Sequence, residues 1–171
     1  MKWLSKGKRE DFEIKGFINA YCKLPHGRKF DIVRKEEKPD YVVRDIETGE
    51  QFGVELTSVY LNNRSVPDVH MRYHVDPVEI PYNREEIEVY KIRIIETILD
   101  KIKKAQKEYD TSLPLILSIY VNEYISIYMD DKEWQSLVNQ YEDIFDAMSP
   151  FVEIVFWPLP NDGVFSVKPG R

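Results

Sequence analysis

The sequence predicts a mixed α/β fold, one β-sheet flanked by helices, with elements in the order α-β-β-β-α-β-α-β-β. Three observations carry that expectation. Apolar residues recur at helical spacing in three separate stretches, and short extended runs rich in β-branched and aromatic residues lie between them. Leu115–Val121 is apolar almost throughout, as a strand covered on both faces must be. The chain has 171 residues, 43% of them apolar, which suffices for one full hydrophobic core and is too many for a disordered chain. No repeat, low-complexity tract or linker interrupts it, so residues 1–171 read as one domain.

Residues 9–22 place Ile14, Phe17, Ile18 and Tyr21 on one helical stripe, and Leu24-Pro25-His26-Gly27 ends that helix. Extended runs follow at Phe30–Lys35, Asp40–Ile46 and Gln51–Tyr60, the last two joined by a Glu47-Thr48-Gly49-Glu50 hairpin turn. Residues 61–83 contain Asn62-Asn63, Pro67, Pro77 and Pro81 and read as an inserted loop or substrate-facing flap. Asn83 with Glu86 resembles a capping box, opening a helix over 84–109. Its stripe is Ile87, Ile92, Ile95, Ile98, Leu99, Ile102 and Tyr109. After the strand at 115–121, a helix over 131–147 presents Trp134, Leu137, Val138, Tyr141, Ile144 and Phe145 and stops at Ser149-Pro150. Phe151–Trp157 and Val164–Val167 make the closing strands.

The net charge of −6 is unevenly spread. Residues 1–38 hold eleven Lys/Arg against six Asp/Glu, a net of +5, and the remainder stands at −11. Phosphate contacts need clustered cations, so nucleic-acid contact is expected through residues 1–38; a solvated basic tail and helix face would account for the same residues. No stretch approaches the ~18 unbroken apolar residues of a membrane helix. Met1–Lys6 turns polar before a secretory apolar segment can form. The lone Cys22 can form no internal disulfide, which fits a reducing cytoplasm. The chain also lacks a nucleophile-elbow serine motif, a Walker phosphate loop and a dinucleotide-binding glycine fingerprint.

The informative stretch is Lys38-Pro39-Asp40-Tyr41-Val42-Val43, the turn, then Gly53-Val54-Glu55-Leu56-Thr57. Asp40 and Glu55 are poor strand residues, and Glu55 interrupts a run that Phe52, Val54, Leu56 and Val59 mark as buried. A buried carboxylate is costly unless it is paired or bound to a cation. Two of them on adjacent strands can share a hard cation such as Mg²⁺, which takes oxygen ligands and keeps waters. The alternative is a hairpin with a polar face toward solvent.

These residues, with a helix before them and α-β-α-β after them, resemble the PD-(D/E)xK nuclease superfamily. The resemblance covers the chain as an element order and rests on about five residues as a motif. It implies a restriction-endonuclease-like mixed sheet and a Mg²⁺- or Mn²⁺-dependent endonuclease acting on DNA. It further implies that Asp40, Glu55 and the Leu56 carbonyl ligate the metal. A homodimer is compatible with it. Members often add a glutamate from the first helix. Glu10 falls in the middle of the Ile14/Phe17/Ile18/Tyr21 stripe, with Glu13 about 60° away and Asp11 on the other flank. An acid at a helix start is also favourable on its own account.

The departure is at Thr57, where the motif has lysine two residues after its second acid. Threonine carries no positive charge and cannot orient and stabilise a hydroxide as an ammonium can. Lys91, at the centre of the apolar stripe of the long helix, is the candidate substitute; a lysine snorkelling past the helix end is the plain alternative. Lys101, Lys103 and Lys104 fall on flanks or the outer face, as solvated charge or phosphate contacts. Asp68, His70, His74 and Asp76 lie together in the loop, but nothing around them is helical and Pro67 and Pro77 bracket them. The runner-up function is a catalytically silent relative serving as a nucleic-acid- or protein-binding module, which Thr57 and the acidic balance favour.

Overall fold

The computed structural model describes residues 5–59, 84–121 and 128–170. Ser5 caps the first helix, α1 (Lys6–Tyr21), by accepting the Lys8 N–H at 3.4 Å, so the helix starts three residues before the expected start at residue 9. Strands β1 (Phe30–Lys35), β2 (Tyr41–Asp45) and β3 (Gln51–Val59) follow. Next come α2 (Arg84–Glu108) and β4 (Leu115–Val121), then α3 (Asp131–Gln140) and α4 (Glu142–Asp146). Strand β5 (Phe151–Leu159), a 3₁₀ turn and β6 (Gly163–Val167) complete the described chain. Residues 60–83 lie outside the described residues, and with them the expected flap, its Asp68/His70/His74/Asp76 cluster and the Asn83 cap.

The six strands form one sheet in chain order, β1-β2-β3-β4-β5-β6. The β1–β2, β2–β3 and β5–β6 pairs are antiparallel; β3–β4 and β4–β5 are parallel. The chain is therefore mixed α/β, with a meander first and helical crossovers afterwards. Gly49, at φ 76, supplies the left-handed residue of the β2–β3 turn. One face of the sheet is covered by α1, through Ile14, Phe17 and Tyr21 packed on Val43, Val54, Leu56 and Val155. The other is covered by α2, α3 and α4, through Ile94, Ile98, Trp134 and Phe145 packed on Leu117, Ile119 and Phe156. Strand β4 lies between the two layers, and all seven of its residues are buried.

Two local expectations need correction. The helix expected over 131–147 breaks at Tyr141 (φ −119, ψ 33), close behind Asn139, a weaker helix former. On α2, Ile92 is exposed and Ile94 and Tyr90 are buried in its place, because the helix turns a broader arc toward the sheet than a single stripe.

Glu153 on β5 is a buried carboxylate far in sequence from its partners. Its Oε2 accepts the Tyr21 hydroxyl at 2.6 Å, and its Oε1 meets His26 Nε2 at 2.5 Å. The cluster fastens the C-terminal end of α1 to the sheet. Tyr21→Phe leaves one buried carboxylate oxygen without its donor and is expected to cost about 1–3 kcal/mol. A denaturation midpoint equal to that of the wild type would show that the hydroxyl contributes nothing.

Candidate active site

The site arises from unequal strand lengths. β2 begins at Tyr41, paired with Val54, whereas β3 continues to Val59. Beyond Val54, β3 keeps its partner β4 on one side and, among the described residues, has no strand paired on the other. Asp40, one residue ahead of β2 and in register with Glu55, covers part of that edge: its Oδ2 accepts the Leu56 N–H at 2.8 Å. Gly53 permits the approach, since a Cβ there would lie 2.7 Å from the Pro39 ring.

At this edge lies a cavity of about 430 Å³. Helix α1 contributes Lys6, Arg9, Glu10 and Glu13, and the β1–β2 connection contributes Glu37, Lys38 and Asp40. Residues 55–58 of β3 form its floor, and Lys101, Lys104, Glu108 and Tyr109 close it from the end of α2. The wall thus carries six carboxylates against five cations. Such a lining does not by itself favour a phosphodiester; one bound divalent ion reverses the balance.

Glu55 sits at the centre, 3% exposed. Its Oε1 accepts from both Lys101 Nζ, at 2.6 Å, and the Tyr109 hydroxyl, at 2.5 Å. Its Oε2 is buried with no hydrogen-bond partner among the described residues. A buried carboxylate oxygen facing a cavity beside a second carboxylate is the kind of oxygen donor that a hard cation takes. Burial, and then the Glu55 charge, push Asp40 up to about 7, while the Leu56 N–H and Lys101 oppose the shift. Burial and the bond to Glu55 raise Tyr109 as well, so it stays a phenol donor.

The sequence-based candidates fare unequally. Asp40 and Glu55 are brought together, and Leu56 and Thr57 line the cavity beside them. The Leu56 carbonyl, on the same strand side as its N–H, points to the open edge. Glu10 lines the cavity but is held by Lys35 at 2.8 Å and Lys6 at 3.5 Å. Glu13 is the more deeply buried, its Oε1 accepting the Ser58 hydroxyl at 2.7 Å, because α1 crosses the polar open end of β3 there. Burial raises its carboxyl pKa, against the Ser58 bond. Among the described residues no three carboxylate, imidazole or thiol groups converge as a metal cluster, and the Glu10 carboxylate is engaged by Lys35 and Lys6.

Lys91 is corrected. It is buried, but its Nζ pairs with Glu133 at 2.6 Å and Glu88 at 3.5 Å, tying α2 to the start of α3. Ten residues of helix, roughly 15 Å, separate it from Lys101. Lys101, which the helical wheel assigns to a flank, is the cation on Glu55. The wheel ranks depth in the core, whereas this site lies at the core's rim. Tyr109 was legible only as an apolar stripe residue; its ring packs on the core and its hydroxyl leaves it.

No family model, curated protein or solved structure matches the chain. Among the described residues no helix is long and apolar enough to cross a membrane.

Proposed function

We propose that the protein is a divalent-metal-dependent nuclease of restriction-endonuclease-like architecture that hydrolyses phosphodiester bonds in DNA. The observation that carries this reading is Glu55, whose one oxygen is bound by Lys101 and Tyr109 and whose other is buried beside Asp40 with no hydrogen-bond partner among the described residues. The helix, antiparallel meander and parallel crossover through β4 agree with the element order that the resemblance implies.

Asp40 and Glu55 hold Mg²⁺ or Mn²⁺, with the Leu56 carbonyl as a further oxygen. The bound ion supplies charge neutralisation at the phosphate and acidifies a water. Lys101 takes the role that Thr57 cannot, placing an ammonium where negative charge builds on the phosphate oxygens. Lys6, Arg9, Lys38 and Lys104 on the cavity wall receive the flanking phosphates. Arg9 and Lys6 belong to the basic first 38 residues; Lys104 extends the same surface onto α2.

The test is calorimetric titration with Mn²⁺, paired with cleavage of plasmid DNA in Mg²⁺, in Mn²⁺ and in EDTA. The wild type is expected to bind Mn²⁺ and cut only with metal, and the Asp40→Ala/Glu55→Ala variant to do neither. Equal Mn²⁺ affinity in the two proteins overturns the site. Thr57 favours the second reading, a catalytically silent nucleic-acid- or protein-binding module; metal binding without cleavage favours it over the enzyme.

A further inference from the structure

We infer that Tyr109 is a positioning residue that makes the site select Mg²⁺ or Mn²⁺ over Ca²⁺, by leaving Glu55 only one oxygen to give. The inference rests on the metal-site reading of Asp40 and Glu55. Among the described residues, both hydrogen bonds that Glu55 accepts fall on the same atom, Oε1, and none on Oε2. A carboxylate so held is a one-oxygen ligand. Mg²⁺ needs few protein ligands and octahedral geometry at about 2.0–2.1 Å, retaining several waters. Ca²⁺ takes six to eight oxygens and is commonly satisfied by a two-oxygen carboxylate, which this arrangement withholds.

Of the two donors, Tyr109 sets the geometry. Its backbone N–H donates to the Ala105 carbonyl at 3.2 Å at the close of α2, and its ring packs against the α2-side core. With only two side-chain torsions, the hydroxyl is fixed in place. Lys101 reaches the same oxygen on a flexible four-carbon stem and can follow Glu55 if the carboxylate turns. Without the Tyr109 hydroxyl, Oε1 is held by a movable partner alone, and the carboxylate can rotate to offer both oxygens. Outer contacts of this kind typically alter metal affinity 10–100-fold.

The experiment uses the whole chain, wild type and Tyr109→Phe, titrated calorimetrically with Mg²⁺, Mn²⁺ and Ca²⁺ separately. The wild type is expected to prefer Mg²⁺ to Ca²⁺, and the ratio of the two affinities to fall about tenfold in Tyr109→Phe. An unchanged ratio overturns the role of Tyr109 while leaving the metal site standing. A wild type that binds none of the three ions overturns the metal site and this inference with it. Infrared difference spectra of the Mg²⁺-loaded wild type give a readout independent of the variant's folding. The gap between the antisymmetric and symmetric carboxylate stretches is wide for one-oxygen ligation and narrow for two-oxygen ligation. The bands are assigned to Glu55 by their loss in Glu55→Gln. A narrow gap in the wild type overturns the proposal.

Discussion

Lys101→Met is expected to lower the rate of DNA cleavage by about 10²-fold, the scale on which one transition-state stabiliser acts. Mn²⁺ still binds to this variant, since Asp40 and Glu55 remain. Lys91→Met leaves the cleavage rate unchanged and lowers stability instead. The contrast follows from what each ammonium touches. Lys101 Nζ lies on Glu55 inside the cavity, and Lys91 Nζ lies on Glu133 between two helices. Burial of Lys91 means that its loss strands a carboxylate, and breaking such a pair commonly costs ~3–5 kcal/mol. Glu133 is partly exposed and keeps Arg84, so about 2 kcal/mol is the expected loss, read from denaturant midpoints. Lys101→Arg rescues in part, because a planar guanidinium cannot copy a point charge on a single oxygen. The loss should fall on kcat, since metal and phosphate contacts away from Lys101 are intact. A Lys101→Met enzyme of full rate, or a Lys91→Met enzyme that loses its rate without unfolding, would sink the assignment.

The pair of lysines also shows where sequence reading reaches and where it stops. Strand positions were legible because alternation and turn chemistry act locally: Gly49 marks the turn, and Leu115–Val121 carries its burial in its composition. The Asp40/Glu55 pair was legible because two acids in an apolar hairpin demand an explanation. Lys101 and Tyr109 were not, since their roles depend on β2 being shorter than β3, which opens the sheet edge beneath the end of α2. A helical wheel cannot contain that fact. Lys91 misled for the complementary reason: its counter-ion comes from α3, more than forty residues away, and a wheel shows only the helix's own residues. The stripe on α1 favours Glu10 over Glu13 by the same logic, because the Ser58 hydroxyl that meets Glu13 comes from β3 and lies outside the wheel.

Asp40→Asn is expected to stabilise the protein in EDTA at pH 8 and to destabilise it, relative to wild type, in excess Mn²⁺. In the folded chain the Asp40 carboxyl is raised from 3.8 to about 7 by burial and by Glu55. The folded state therefore holds its proton over a range in which the unfolded state has released it. Stability must fall as pH rises from about 4 to about 7, and level off above. At full value the shift would amount to about 4 kcal/mol; Asp40 is half-buried and solvent screens it, so about 2 kcal/mol is expected. Asparagine keeps an oxygen for the Leu56 N–H and carries no charge, so the variant lacks this fall. Glu13 is shifted in the same direction, titrates in both proteins and cancels in the comparison. The difference in Tm should grow from near zero at pH 4 to about 4–8 °C at pH 8. Mn²⁺ reverses the order, because an ion at a hundred times its Kd stabilises only the protein that binds it, by about 2.7 kcal/mol. Melting curves for both proteins from pH 4 to 8, with EDTA and with Mn²⁺, check the crossing. An asparagine variant less stable than wild type in EDTA would mean that Asp40 is already compensated in the empty site. Its repulsion with Glu55 would then not be what a bound cation relieves.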